Sequence, residues 1–406
     1  MKVAHLNCVY EYGSTGKLIK EIVDEGQKYG IESRVFYSER SAKDEHGIRY
    51  ITDIERNMHA VLSRITGLQG YWSKEVTKKL LKEIKDFNPD VIHIHTLHGN
   101  CIHLPILFSF LKKENYPVVL TLHDCWWFTG RCAHPLAYGC EKWEKSQTEH
   151  CVLCPAKSDV CPSWFFDYAY FMLEDKKRLF ESINNLKVVC VSDWLKQQVA
   201  HSYVFDKCKS IKRIYNWIDM DVYRVIQTKK TLNSIPCDKK IVLGVASVFL
   251  ESKGFSDFLW LSQHLSEEYQ LVLVGNLEED KILPENVIHI PNTSDKEELV
   301  ALYNRADVFI NPSKYETFGL TTVEAMACGT PVVLYEFSTS KEVVGENCGI
   351  IVPLGDKEEL LKGIVEVCNR GKEYFSCIEW VTDRFSKKSG IAKYVEIYKE
   401  AQKSRF

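Results

Sequence analysis

The stretch Ala306-Asp-Val-Phe-Ile-Asn-Pro312-Ser-Lys-Tyr-Glu316-Thr-Phe-Gly319-Leu-Thr-Thr-Val-Glu324-Ala-Met-Ala-Cys-Gly329-Thr-Pro331-Val-Val-Leu-Tyr335 decides the fold. Its first residues are a short apolar run closed by a proline, the pattern of a buried parallel strand ending at a turn. A loop follows, then a helix expected over 321–328 with Thr321 or Thr322 as N-cap. Gly329-Thr-Pro331 stops that helix before a second strand at 332–335. Strand, loop, helix, strand is the repeating unit of an open parallel sheet, whose ligands bind beyond the carboxyl ends of the strands. Glu316 and the helix start therefore sit where a ligand would lie. The backbone N–H groups of Phe318, Gly319, Leu320 and Thr321 suit a diphosphate, because a helix N-terminus carries partial positive charge and unpaired donors. Glu316 on the loop and Glu324 about one turn into the helix suit hydroxyls, those of a sugar and of a ribose respectively.

Outward from this stretch the same unit recurs. Strands are expected at 1–6, 34–37, 91–95, 118–123 and 188–192, and again at 241–246, 271–275, 287–290, 308–311, 332–335 and 349–352, separated by helical patterns. At 406 residues the chain exceeds one hydrophobic core, so two domains are expected, with a hinge near residues 214–223. The net charge of −3 argues against a nucleic-acid binder. No apolar segment of membrane-spanning length occurs, and the first eight residues read as a strand, not a signal peptide, so a cytoplasmic location is expected. Ser14-Thr15-Gly16-Lys17 superficially looks like a phosphate-binding P-loop, but Glu11 stands where its first glycine belongs and Leu18 where Ser or Thr should follow the lysine.

Fifteen cysteines in a reducing compartment call for a role other than disulfides. Six fall between Cys125 and Cys161, and Cys132-x7-Cys140-x10-Cys151-x2-Cys154 has the look of a four-thiolate zinc knuckle. Structural zinc on Cys132, Cys140, Cys151 and Cys154 is therefore expected, with Cys125, Cys161, His134 or His150 as substitutes and with no catalytic duty. Lys74, Lys78, Lys79, Lys82 and Lys85 form a basic helical face and residues 107–113 run apolar then basic, a pattern suited equally to a membrane surface and to a solvated helix.

The Glu316-x7-Glu324 segment resembles the signature of retaining, nucleotide-sugar-dependent glycosyltransferases of GT-B fold, family 4. Asn216-Trp-Ile-Asp219, Leu271-Val-Leu-Val-Gly275-Asn276 and residues 299–307 resemble other segments of that family, and the similarity covers nearly the whole chain. Val91-Ile-His-Ile-His95-Thr-Leu-His98-Gly99 and Thr121-Leu-His123-Asp124-Cys-Trp resemble a subgroup that builds capsular and other exopolysaccharides. The resemblance implies an α/β fold of two Rossmann-like doubly wound domains facing across a cleft. Residues 1–215 with 386–406 would bind acceptor and carry the Cys-rich insertion 125–161. Residues 216–385 would bind the donor. It implies a glycine loop, Gly13 to Gly16, over the donor diphosphate, and His123 against the transferred sugar. It further implies a UDP- or GDP-sugar donor, no metal for the chemistry, and a glycan or lipid-linked acceptor at the inner membrane face. One departure stands out: the family's diphosphate-clamping arginine, six positions before the lysine of a Lys-Gly pair, is Ser247 here, leaving Lys253 of Lys253-Gly254 to neutralise charge alone. Another GT-B activity, an epimerase or a phosphorylase, stays open, as does a non-catalytic zinc-bearing scaffold.

Overall fold

The computed structural model describes residues 1–40, 42–158, 160–226, 235–279, 281–291 and 295–404. The chain divides into two compact units, Met1–Ile214 with Gly390–Phe406, and Tyr215–Ser389. Each is built on one all-parallel sheet. Unit 1 holds β1 (Lys2–Leu6), β2 (Glu32–Tyr37), β3 (Gly47–Arg49), β4 (Val91–Ile94), β5 (Val118–Leu122), β6 (Leu186–Cys190) and β7 (Ile211–Arg213), in the order β3-β2-β1-β4-β5-β6-β7. Unit 2 holds β8 (Lys240–Phe249), β9 (Tyr269–Leu277), β10 (Val287–Ile290), β11 (Val308–Asn311), β12 (Val332–Tyr335) and β13 (Gly349–Val352), in the order β10-β9-β8-β11-β12-β13. The expected α/β architecture is what the chain adopts. The three-residue edge strands β3 and β7 were beyond the sequence reading, being too short to show a pattern.

The strand order reverses direction between β1 and β4 in unit 1 and between β8 and β11 in unit 2. At such a switch point the connections leave toward opposite sides and open a crevice at the strand ends. In unit 2 the crevice is bordered by the chain after β8, which leads to Lys253, and the chain after β11, which leads to Glu316. The strands beneath are apolar and buried: Val242, Leu243, Phe309, Ile310, Val333 and Leu334 are at most 1% exposed. β8 carries an irregularity between Val245 and Val248, and there Gly275 of β9 comes so close that an added Cβ would stand 1.7 Å from the Ala246 carbonyl oxygen.

Two local expectations are corrected. Gly13 and Gly16 do not lie on a loop: the helix begins at Gly13 (Gly13–Gln27), so both belong to its first turn, and the loop after β1 is residues 7–12. The sequence hid this because Tyr12, in extended conformation, precedes the helix without a side-chain cap. The helix after Glu316 likewise starts one residue early, as Leu320–Ala327, with Gly319 as N-cap instead of a threonine. Gly319 has φ +90°, a left-handed conformation that disfavours any side chain.

Candidate functional site

In unit 2 the site is assembled from two loops tied together. The short 3-10 turn Glu251–Lys253 is pinned to the loop after β11 by the Lys314 amide, which donates to the Ser252 carbonyl at 2.9 Å. Gly254, at φ +76°, packs so tightly on Pro312 that a Cβ would meet its carbonyl oxygen at 2.5 Å. Lys253 is thereby brought to Glu316. Its Nζ donates to Glu316 Oε1 at 2.6 Å, and Ser313 Oγ donates to the same oxygen at 3.1 Å. The Glu316 backbone is fixed in turn, its amide donating to Ser338 Oγ at 3.3 Å and its carbonyl accepting from the same hydroxyl. Thr339 Oγ1 donates to the Phe318 carbonyl at 3.2 Å. Both charged side chains keep solvent access, Lys253 at 32% and Glu316 at 18%.

The Leu320–Ala327 helix opens beside this pair, its first amides left without intrahelical acceptors as at any helix start. Asn311 at the end of β11 donates to Thr322 Oγ1 at 3.0 Å and locks the first turn. Glu324 accepts from the buried Tyr303 hydroxyl at 2.8 Å, and Thr330 Oγ1 holds the Tyr303 carbonyl at 2.6 Å. Burial, and then the Glu324 carboxylate, push the Tyr303 phenol well above its ordinary pKa, so it acts as the donor. Ser247 is exposed on β8 before the Lys253 turn, and Gly275 lies against the irregularity of β8. Unit 2 therefore brings Lys253 and Glu316 together, with Phe318, Gly319, Leu320 and Thr321 following along the chain into the helix start, while Glu324, farther along that helix, is bonded to Tyr303. The Tyr303 contact was invisible in the sequence.

In unit 1, His123 follows β5 directly and its Nε2 lies 3.2 Å from His95 Nδ1. Burial lowers its pKa to about 4, so it is neutral. Next to it, Asp124 pairs with His98, Oδ2 to Nε2, at 3.0 Å. Burial alone would lift the Asp124 pKa, but His98 outweighs it and the result is about 2. His98 is raised in return, burial being outweighed by Asp124.

The zinc expectation does not match the geometry. Cys132 is influenced by Cys154, Cys151 and Cys140, so the four thiols share a neighbourhood. A tetrahedral thiolate site needs sulfurs about 4 Å apart, given Zn–S bonds near 2.3 Å. Among the described residues no three of these sulfurs lie within 4.8 Å of one another; the trio of ligand-type atoms that does is His5, His93 and His95. Burial pushes the Cys151 thiol up to about 12 and Cys161 likewise to about 12. The start of the segment is held by Lys176, 1% exposed, whose ammonium donates to the carbonyls of Trp126 at 2.6 Å, Thr129 at 3.0 Å and Gly130 at 3.3 Å.

Two parallel sheets, each with its crevice at a switch point, and a lysine–glutamate pair beside a helix start define the class as GT-B, and comparison with known proteins agrees. Residues 15–159 match the model of Glycosyltransferase Family 4 and residues 226–381 that of Glycosyl transferases group 1. The chain belongs to these glycosyltransferases. It is 26% identical over 340 residues to an uncharacterized 41.2 kDa protein in the cps region of Klebsiella pneumoniae, covering 79% of this chain and 81% of that one. It is 25% identical over 283 residues to the putative colanic acid biosynthesis glycosyl transferase WcaC of Escherichia coli K12, covering 68% and 66%. Among solved structures, sucrose-phosphate synthase of Thermosynechococcus elongatus superposes with a TM-score of 0.70 at 17% identity, covering 98% of both chains. Anabaena HepE, in complex with UDP and glucose, superposes with a TM-score of 0.70 at 16% identity, covering 98% and 100%.

Proposed function

We propose that this glycosyltransferase moves a sugar from a nucleotide-diphosphate donor to a glycan acceptor, with retention of anomeric configuration, in the assembly of a capsular or other extracellular polysaccharide. The observation that carries this is the Lys253–Glu316 pair at the mouth of the β8/β11 crevice, 2.6 Å apart and open to solvent. Lys253 and the amides of residues 318–321 neutralise the departing diphosphate, the electrostatic work that dominates such a transfer. Glu316 orients the sugar hydroxyls and Glu324 the ribose, with the Tyr303 hydroxyl holding its carboxylate in place. Ser247 on β8 and Gly275 on β9 border the donor in this reading, and the family resemblance assigns Gly13 and Gly16 to its diphosphate and His123 to the transferred sugar. The acceptor hydroxyl attacks the anomeric carbon on the face from which the diphosphate leaves. The carbon–oxygen bond to phosphate breaks as the new glycosidic bond forms, and the acceptor's proton passes to the leaving phosphate oxygen. The cps-region location of one relative, the name of WcaC and the UDP held by HepE support a polysaccharide product and a UDP- or GDP-sugar donor. Residues 1–215 with 386–406 are the acceptor domain in this reading and 216–385 the donor domain.

The acceptor is lipid-linked and the enzyme rests on the cytoplasmic face of the membrane. No helix among the described residues is long and apolar enough to cross a membrane. Unit 1 nevertheless exposes Trp164, Phe165, Phe166, Tyr168, Tyr170 and Phe171, each more than 40% accessible. The Trp164 amide donates to the Arg64 carbonyl at 2.6 Å, joining this run to the end of the Asp53–Thr66 helix, whose Ile54, Met58, Val61 and Ile65 are also exposed. The rings of Phe165 and Phe166, Phe166 and Tyr168, and Tyr168 and Phe171 lie within 6.5 Å of one another, an exposed apolar cluster of the kind that marks a contact surface.

A thermal-shift screen of the purified chain against UDP-, GDP-, CDP- and ADP-sugars tests the reading, since a ligand that binds the native state raises its melting temperature. A shift selective for one base, abolished by Glu324→Ala, is expected. No shift with any donor would overturn it.

A further inference from the structure

One face of the unit 1 sheet is filled with imidazoles. His5 of β1 pairs in register with His93 of β4; His95 follows on β4's end, and Thr121 and His123 occupy the equivalent face at β5. Tyr394 and Tyr398 of the Lys387–Lys403 helix cover them. Central strands of a covered parallel sheet are ordinarily continuous apolar runs, and each buried polar ring costs desolvation unless it is bonded.

The hydrogen bonds fall into two sets. His93 is closed on itself, Nδ1 to the Tyr398 hydroxyl at 2.6 Å and Nε2 to Thr121 Oγ1 at 2.7 Å. The second set is a chain: His5 Nδ1 to His95 Nε2 at 3.4 Å, then His95 Nδ1 to His123 Nε2 at 3.2 Å. At the far end, His5 Nε2 is buried without a partner. Although His5, His93 and His95 place ring nitrogens within 4.8 Å of one another, both nitrogens of His93 and of His95 are already engaged, so the trio is a hydrogen-bond network and not a metal site.

We infer that His95, held by His5, is a positioning residue that fixes the tautomer of His123, keeping Nε2 as acceptor and offering Nδ1–H as donor to an oxygen of the bound sugar. This rests on the reading of His123 as a sugar contact. Burial keeps all three rings neutral, with His5 near 3 and His123 near 4. A neutral imidazole has one donor and one acceptor, so the chain has two self-consistent settings. In one, His5 ends in a buried N–H with no acceptor. In the other, it ends in a bare lone pair. Orphaned buried donors are rarer than under-satisfied acceptors, which selects the second. His5 Nδ1–H then donates to His95, His95 Nδ1–H donates to His123, and His123 is left with Nδ1–H. The usual side-chain device for setting a tautomer is a carboxylate, the backbone carbonyl being the main-chain one. Asp124 is the nearest in sequence, but it is taken by His98 and by the Trp126 amide at 2.9 Å.

Histidine-selective nitrogen-15 labelling of the full chain, read by long-range proton–nitrogen correlation, reports each tautomer directly. His123 is expected as Nδ1–H in the wild type and as a mixture in His95→Leu and in His5→Phe, the latter acting from the far end of the chain. His95→Asn, which keeps an N–H near the Nδ1 position, is expected to restore it. With UDP-glucose and GDP-mannose as probe donors, His95→Leu should lower kcat about tenfold with KM unchanged, as loss of one oriented hydrogen bond would, and His95→Asn should recover it. His123 found as Nε2–H in the wild type, or unchanged in both His95→Leu and His5→Phe, overturns the inference. Should the tautomers respond as expected while His123→Ala leaves turnover intact, the lock stands and the sugar contact of His123 is what fails.

Discussion

The two units solve the same topological problem with opposite chemistry. Unit 2 keeps its central strands apolar and holds the charged groups of its candidate site beyond the strand ends, where Lys253 meets Glu316 and Glu324 follows on the next helix. Unit 1 carries polarity down into the sheet itself, through His5, His93, His95 and Thr121. The contrast teaches that a site on loops can change its charged residues with little effect on the core, whereas a site continued into a sheet ties folding and function to the same hydrogen bonds. In the proposed function, the loops of unit 2 show the first arrangement and the imidazole face of unit 1 the second.

The largest effect expected is on turnover. Glu316→Ala and Lys253→Ala should each lower kcat by about 10²–10³, the typical cost of removing one preorganised electrostatic group. Because both groups stand on loops, the melting temperature should move by only a few degrees. A drop in stability matching the drop in rate would erase the contrast between the units. Next comes Gly275→Ala, for which a side chain would sit 1.7 Å from the Ala246 carbonyl at φ +142°. Chemical denaturation should show a loss of about 3 kcal/mol or more, since neither strand can move without breaking its ladder.

Third is acid sensitivity, which separates the units by pH. His5 and His59 are lowered by burial to about 3 and His123 to about 4. Between those values and the unfolded value near 6.5, the unfolded chain binds protons that the folded chain refuses, so stability falls as pH falls through that window. At pH 5 the loss is about 2 kcal/mol per imidazole, an order-of-magnitude figure. His98 works the other way, its raised pKa adding stability that is full below the unfolded value and lost as pH rises past the folded one. Asp124, at about 2, matters only below the ordinary carboxylate range. Melting curves between pH 7.5 and 5 should therefore show unit 1 destabilised, and hydrogen exchange resolves the unit concerned. A unit 1 as stable at pH 5 as at pH 7.5 would contradict the buried network. The smallest effect on the fold is expected from replacing Trp164, Phe165 and Phe166 together by Ser. Such exposed positions usually cost within about 0.5 kcal/mol each. Sedimentation with anionic lipid vesicles should drop severalfold, and unchanged vesicle binding would remove the membrane from the picture.

The segment that carries unit 2's candidate site was legible because it is punctuated locally: a proline ends the strand, Gly319 marks the turn, and Gly-Thr-Pro ends the helix. Local signals of that kind need no knowledge of neighbours. The Gly13 helix start was misread for the same reason in reverse, as two glycines where a capping side chain is usual. The cysteine spacing misled because separation along the chain does not set the distance between sulfurs. Lys176 is buried against three carbonyls that lie 46 to 50 positions earlier in the chain, a contact no local pattern displays. The imidazole chain was hidden because it depends on which strands neighbour one another, and the order β1-β4-β5 is a property of the whole sheet.

In the proposed function, the Lys253–Glu316 contact means that the cation that meets the donor already has an internal counter-ion. An incoming anion must exchange with that carboxylate. A lone phosphate gains only the lysine and sets a carboxylate adrift, whereas a sugar diphosphate supplies hydroxyls that take up the released Glu316. The pair thus discriminates by replacement, and added salt should weaken inorganic phosphate far more than the intact donor.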